Sequence, residues 1–471
     1  MNAFIGRKSE LMALQKIYSM PGFQMTVIYG RRRVGKSTLI KQFIAGKQAV
    51  YFTATKSGIT SNIERWGKEV ITAIAPEMEG MSFAGTESLL SFLGKKCANN
   101  RVVVVIDEIP YLAEADSSFL SILQSYIDND WINGQMYLIV CGSSISFMEE
   151  EVLGSKSPLF GRRTSQIRLK AFNYIEAAEF VPKYSYEDKA ICYGITGGIA
   201  KYLALINPDK SLDENIVEQF FSRNGYLYEE TTNLLAQEFR NINTYSDIIE
   251  AIASGANKIN EISDKAHIDA TVVSHAIKNL LVTEIIEKNY AITDEKNKKK
   301  VQYSIKDGMF RFWYRYVPKA IAMIELDKGA EYYYKVVKPS ISEYMGSVFE
   351  DMCRYYTLVK GSEGAFDCFI TETGKWWGTH PAKREQTDID IVGIDRTAQK
   401  CVLGECKFKN EVVDKGILED LQSRNGLIDH NFTTVAYLLF SKTGFSDWIT
   451  ENAANQKLKC FTLEDIYQEE K

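Results

Sequence analysis

One octapeptide near the N-terminus constrains this chain more than any other feature. Gly30-Arg31-Arg32-Arg33-Val34-Gly35-Lys36-Ser37 follows the short β-prone run 25–29 and leads into a helical run from Ser37 to Ala45. Two glycines at this spacing let the backbone curl so that successive amides point inward. The helix start adds the positive end of its dipole at the same place. Together they cradle phosphate oxygens: Lys36 reaches the β- and γ-phosphates, and Ser37 gives an oxygen to Mg²⁺. Gly30, Arg31, Arg32, Arg33, Val34 and Gly35 supply the loop backbone, with Thr38 just beyond it. The expected cofactors are ATP and Mg²⁺.

The surrounding pattern predicts an α/β sheet. Runs at 101–106 and 135–142 are aliphatic enough to be buried strands, 50–53 looks like a further strand, and a helical period covers 119–127. Strands alternating with helices imply a parallel sheet. Asp107 and Glu108 directly follow the Val-Val-Val-Val-Ile run, which puts both at the sheet edge that carries the phosphate loop. Asp107 is expected in the Mg²⁺ shell, and Glu108 as the group that orients and deprotonates the attacking water. Gly142-Ser143-Ser144 ends the next aliphatic run. Ser143 either positions the γ-phosphate or water, or belongs to a simple turn.

These residues resemble a known family. Phe4-Ile5-Gly6-Arg7-Lys8-Ser9-Glu10-Leu11, the phosphate loop and Val-Ile-Asp107-Glu108 are similar to the archaeal-type ATPases of the AAA+/STAND group. The resemblance implies that residues 4–11 lie against adenine. It also implies that Ser155 to Arg163 carries an arginine near the γ-phosphate, either Arg162 or Arg163. Gly197-Gly198-Ile199-Ala200-Lys201 is similar to the Gly-Gly-x-Pro element of the STAND lid, with Ala200 where the proline stands.

Beyond the first unit, taken as 1–170, strand signals vanish over 171–235, as expected for a helical lid. Residues 236–318 read as a winged helix: three helical stretches in 245–282, then strand-like runs at 284–292 and 300–305 joined by a polar turn. The net charge of the whole chain is only −5, which hides local contrast. Residues 245–284 have three lysines against six acids, whereas 285–319 hold nine Lys/Arg and four Asp/Glu. Contact with DNA backbone is therefore expected through the wing tip (Lys296, Lys298, Lys299, Lys300) more than through the third helix.

The last stretch, 319–471, starts a second α/β pattern. A helix is expected over 341–353, strands at 368–371, 388–392, 401–408 and 433–441, and a helix over 412–421. In Asp388-Ile389-Asp390-Ile391 the acids alternate with aliphatics, so Asp388 and Asp390 share one strand face. Glu405 and Lys407 do the same in Gly404-Glu405-Cys406-Lys407. On neighbouring strands, Asp390, Glu405 and Lys407 converge as in the PD-(D/E)xK nucleases. There carboxylates hold a divalent metal and the lysine steadies the nucleophile or the developing charge. Asp388 and Glu350, on a preceding helix, are further candidate ligands. With Trp376-Trp377-Gly378, the segment resembles the C-terminal domain of unknown function fused to archaeal-type ATPases.

The eight cysteines form no C-x-x-C pair and lie in apolar segments, as expected of reduced core thiols in a cytoplasmic protein. No apolar run is long enough for a membrane span. The fold expected is a multidomain α/β chain: a P-loop NTPase sheet with a helical lid, a winged helix, and a restriction-endonuclease-like domain. The function expected is an ATP-hydrolysing switch with a DNA-directed output, extending to Mg²⁺-dependent cleavage. The alternative is an ATP-gated regulator that binds DNA or a protein, itself included, through an inactive nuclease-like domain.

Overall fold

The computed structural model describes residues 4–294, 297, 300–428 and 431–468. The expected wing-tip residues Lys296, Lys298 and Lys299 lie outside them. The chain divides into two compact units, Met1–Phe172 with Ile199–Lys201, and Asn173–Gly198 with Tyr202–Lys471.

The first unit is built on five strands: β1 (Gln24–Tyr29), β2 (Ala49–Thr53), β3 (Val102–Asp107), β4 (Met136–Gly142) and β5 (Ser165–Arg168). They lie in the order β2-β3-β4-β1-β5, and every pairing is parallel. Every residue of β1, β3 and β4 is buried, which is why these runs carry no polar alternation. The helix Ile59–Ile74 packs on the sheet through Trp66, whose ring stacks on Phe52 at 5.3 Å. Because β1, β3 and β4 run in parallel, the residues that follow each of them share one edge of the sheet. Those residues are Gly30, Glu108 and Ser143.

Gly30 has φ +152, and a Cβ built there would meet the carbonyl oxygen of Leu169 at 2.3 Å. Glycine is required because the Leu169 backbone, whose amide donates to the Tyr29 carbonyl at 2.7 Å, lies against this residue. Gly30→Ala is expected to cost about 1–3 kcal/mol through that clash, read as a lowered Tm.

The second unit opens with helices Tyr174–Ala178, Tyr186–Thr196, Leu212–Phe220 and Glu230–Glu238. Helices Ile242–Ala253, Ile259–Ala266 and Ala270–Val282 follow, then the antiparallel pair β6 (Ile286–Asn289) and β7 (Gln302–Ile305). An 18-residue helix, Gly308–Glu325, carries the aromatic run.

The long helix Lys338–Ser362 then precedes a mixed sheet. Its strands are β8 (Glu372–His380), β9 (Glu385–Asp395), β10 (Lys400–Lys407), β11 (Thr433–Ser441) and β12 (Leu458–Thr462), in the order β12-β11-β10-β9-β8. β9 is antiparallel to both β8 and β10, and β10, β11 and β12 are parallel.

Two expectations need correction. Residues 368–371 are not a strand: the Ile370 amide bonds the carbonyl of Gly361 at the end of the long helix, and the strand begins at Glu372. The helix expected over 412–421 runs Lys415–Ser423, because the Asp414 side chain caps it by accepting from the Gly416 amide at 3.0 Å. Strand β12 has no counterpart in the sequence reading. Among the described residues no helix is long and apolar enough to cross a membrane.

Candidate functional site

The phosphate loop is shaped by two residues in the left-handed region, Arg33 (φ 70) and Gly35 (φ 96). Lys36 is buried, and its ammonium donates to the carbonyls of Gly30 at 2.7 Å and Arg31 at 2.9 Å. Burial pulls its pKa down, while Cys141, Glu108 and Asp107 resist that shift. The lysine is thus folded onto its own loop. An incoming phosphate would replace two neutral acceptors with a charged one, a stronger bond in a dry site.

Asp107 ends β3 with its carboxylate buried. Its Oδ2 accepts from the Ser37 hydroxyl at 2.9 Å and from the Tyr51 hydroxyl at 2.5 Å. Among the described residues its Oδ1, also buried, has no hydrogen-bond partner. A buried carboxylate oxygen without a donor is costly, and a cation beside Ser37 would satisfy it. The donor set therefore fits Mg²⁺, with Ser37 and Asp107 as the residues to hold it.

Glu108 adopts φ 58, a strained conformation for a non-glycine residue. Its Oε2 accepts from both the Ser143 amide at 3.1 Å and the Ser143 hydroxyl at 3.0 Å. Ser143 is therefore more than a turn residue: it fixes the carboxylate expected to act on water.

Arg162 is placed differently. Its Nε and Nη2 form a bidentate pair with Asp128, at 2.8 and 2.6 Å. Arg163 is half-buried, near enough to Tyr29 to act on its hydroxyl electrostatically. Among the described residues neither bonds Gly35, Lys36 or Ser37 of the phosphate loop, and Arg162 is turned to Asp128.

Arg7 was not singled out by sequence. It is buried, stacks on Phe172 at 3.9 Å, and donates to the carbonyls of Val34 at 3.1 Å and Lys170 at 2.7 Å. That anchors segment 4–11 beside the loop. The segment Ile199–Lys201 also returns to the loop. The Lys201 amide donates to the Arg33 carbonyl at 3.1 Å, and a Cβ on Gly35 would touch the Ala200 methyl at 3.3 Å. Ala200, which stands where the Gly-Gly-x-Pro element has its proline, thus lies against the phosphate loop.

In the second unit β9 and β10 are neighbours, with Ile391 opposite Gly404. Asp390 Oδ2 accepts from the Cys406 amide at 3.2 Å, so Asp390, Glu405 and Lys407 do converge. Glu405 is held by Lys407 at 2.7 Å and by Arg424 at 2.8 Å. Burial and then the Asp390 charge push the Glu405 pKa up. Glu350, on the long helix, is raised for the same two reasons.

Residues that the sequence reading overlooked complete this cluster. Lys375 of β8 reaches Asp388 at 3.0 Å, Glu350 at 3.2 Å and Asp390 at 3.6 Å. Arg354 donates to the Asp390 carbonyl at 2.9 Å. Among the described residues no three Asp, Glu, His or Cys side chains are grouped to hold a metal ion. As placed, these carboxylates face protein cations, so the set does not fit a divalent metal. A cleft of about 840 Å³ opens beside the cluster between β6–β7 and β8, bordered by Lys288, Arg311, Arg315, Lys375 and Trp377 and also by Glu287, Glu343 and Asp351.

Residues 4–206 match a family described as an ATPase domain predominantly from Archaea. Residues 313–419 match archaeal and bacterial proteins of unknown function. An uncharacterized protein of Methanocaldococcus jannaschii is 29% identical over 468 residues, covering 98% of this chain and 100% of its own. An uncharacterized ATP-binding protein of that organism is 42% identical over 45 residues, 10% of this chain and 76% of that protein. Among solved structures, a Walker-type ATPase of Pyrococcus abyssi aligns with a TM-score of 0.50 at 18% identity, over 66% of this chain and 96% of that one. At that identity the likeness speaks for the fold alone.

Proposed function

We propose that this chain, an ATPase of the P-loop type over residues 4–206, is an ATP-dependent switch whose output is on DNA. Ser37 and Asp107 would hold Mg²⁺, which when bound would neutralise charge on the transferring phosphate. Lys36 shifts from the loop carbonyls to the phosphates, and Glu108 takes the water proton once it leaves Ser143. Segment Ile199–Lys201 touches the loop and gives bound nucleotide a way to bias the chain that follows it.

The DNA-directed half of the reading is carried by one observation. Asp390, Glu405 and Lys407 meet on adjoining strands, the pattern of the PD-(D/E)xK nucleases, and cleavage would require Lys375 to give way to a metal. The basic stretch 285–319 supports it, with β6 and β7 as the arms of the wing. The units are read as 1–170, 171–235, 236–318 and 319–471.

A second reading, a regulator that binds DNA without cutting it, is favoured by Lys375, which pairs with Glu350, Asp388 and Asp390. Incubating the protein with plasmid, Mg²⁺ and ATP separates the two. Nicking that disappears in Asp390→Ala supports cleavage. Nucleotide-dependent binding with intact plasmid supports the regulator. DNA binding and cleavage that are both indifferent to nucleotide would remove both.

A further inference from the structure

The C-terminal cluster disagrees with the metal centre its strand pattern suggests, and the disagreement has a single origin. Among the described residues, Lys375 is the one side chain in contact with Glu350, Asp388 and Asp390 together, at 3.2, 3.0 and 3.6 Å. Its position follows from a bulge. Pairing between β8 and β9 passes from Gly374 opposite Val392 to Trp376 opposite Ile389, so two residues, Asp390 and Ile391, face Lys375 alone. Bulges re-aim side chains in this way, and here the bulge brings Asp390 against the lysine.

The lysine is also held in its charged form. Ion pairs with three carboxylates favour the ammonium over the neutral amine. Glu405, the remaining candidate ligand, is satisfied by Lys407 and Arg424.

We infer that Lys375 is a built-in counter-ion that takes a divalent cation's place at Glu350, Asp388 and Asp390 and excludes that cation from the cluster. Its side chain is 32% exposed and borders the cleft between β6–β7 and β8 together with Glu350, and Asp388 is 51% exposed, so the ammonium opposes a cation by its charge and not by covering the carboxylates. The inference concerns the same centre as the nuclease reading but does not depend on cleavage.

The test is Mn²⁺ binding to the full chain without nucleotide, with free Mn²⁺ counted by electron paramagnetic resonance. Removing an ammonium about 3 Å from three carboxylates is expected to tighten Mn²⁺ binding at least tenfold in Lys375→Met. Asp390→Asn added to that variant should abolish the gain. Equal affinity in wild type and Lys375→Met overturns the inference, as does a gain that survives Asp390→Asn. If Lys375→Met fails to fold, Lys375→Gln keeps a polar head without the charge and is read the same way.

The two readings fail separately. A variant that gains Mn²⁺ but leaves plasmid intact upholds the counter-ion and ends the nuclease reading. Cleavage by wild type, with no gain of metal on removing Lys375, does the reverse.

Discussion

Replacing Lys36 with alanine is expected to lower ATP turnover by about 10²–10³-fold, the usual effect of removing one preorganised charge from a phosphoryl-transfer site. The lysine sits dry beside the loop, bonded only to neutral carbonyls at 2.7 and 2.9 Å. Its charge is therefore available to a phosphate with little solvent to displace. Nucleotide affinity should fall as well, because the lysine meets the β- and γ-phosphates in the ground state. Steady-state phosphate release and fluorescent-nucleotide titration measure the two effects. Turnover within a few-fold of wild type would mean that hydrolysis does not pass through this loop.

Glu108→Gln should behave differently. The substitution keeps the shape and removes the base, so turnover should drop by roughly 10²–10⁴-fold while ATP binds as before. Ser143 donates from both its amide and its hydroxyl to the same carboxylate oxygen. The amide oxygen of Gln can accept those bonds, and the loop geometry should survive. Loss of binding in step with turnover would make Glu108 a structural residue and overturn its role as base.

Much of the ATP site was legible because it is local. The phosphate loop is eight contiguous residues, and Asp107 and Glu108 are marked by the aliphatic strand they terminate. The acid–aliphatic alternation around Asp390 and Glu405 was readable for the same reason, since period two is a property of one strand. What escaped depends on chain-distant contacts. Arg7 meets Lys170 from 163 residues away, and Tyr51 meets Asp107 from 56 away; neither has a local signature. Lys375 depended on a bulge, which breaks the period that made its partners visible. Arg162 shows the opposite case. Its local motif pointed to the γ-phosphate, but Asp128 supplies a planar carboxylate that the guanidinium pairs with bidentately.

The coupling of nucleotide to DNA is tested most directly with Glu108→Gln, which should hold ATP without consuming it. Its DNA affinity, measured at one fixed salt concentration with Mg²⁺ and ATP and then with ADP, should differ by about tenfold or more, a coupling of ~1.4 kcal/mol. Equal affinities in the two nucleotide states would contradict an ATP-gated output on DNA.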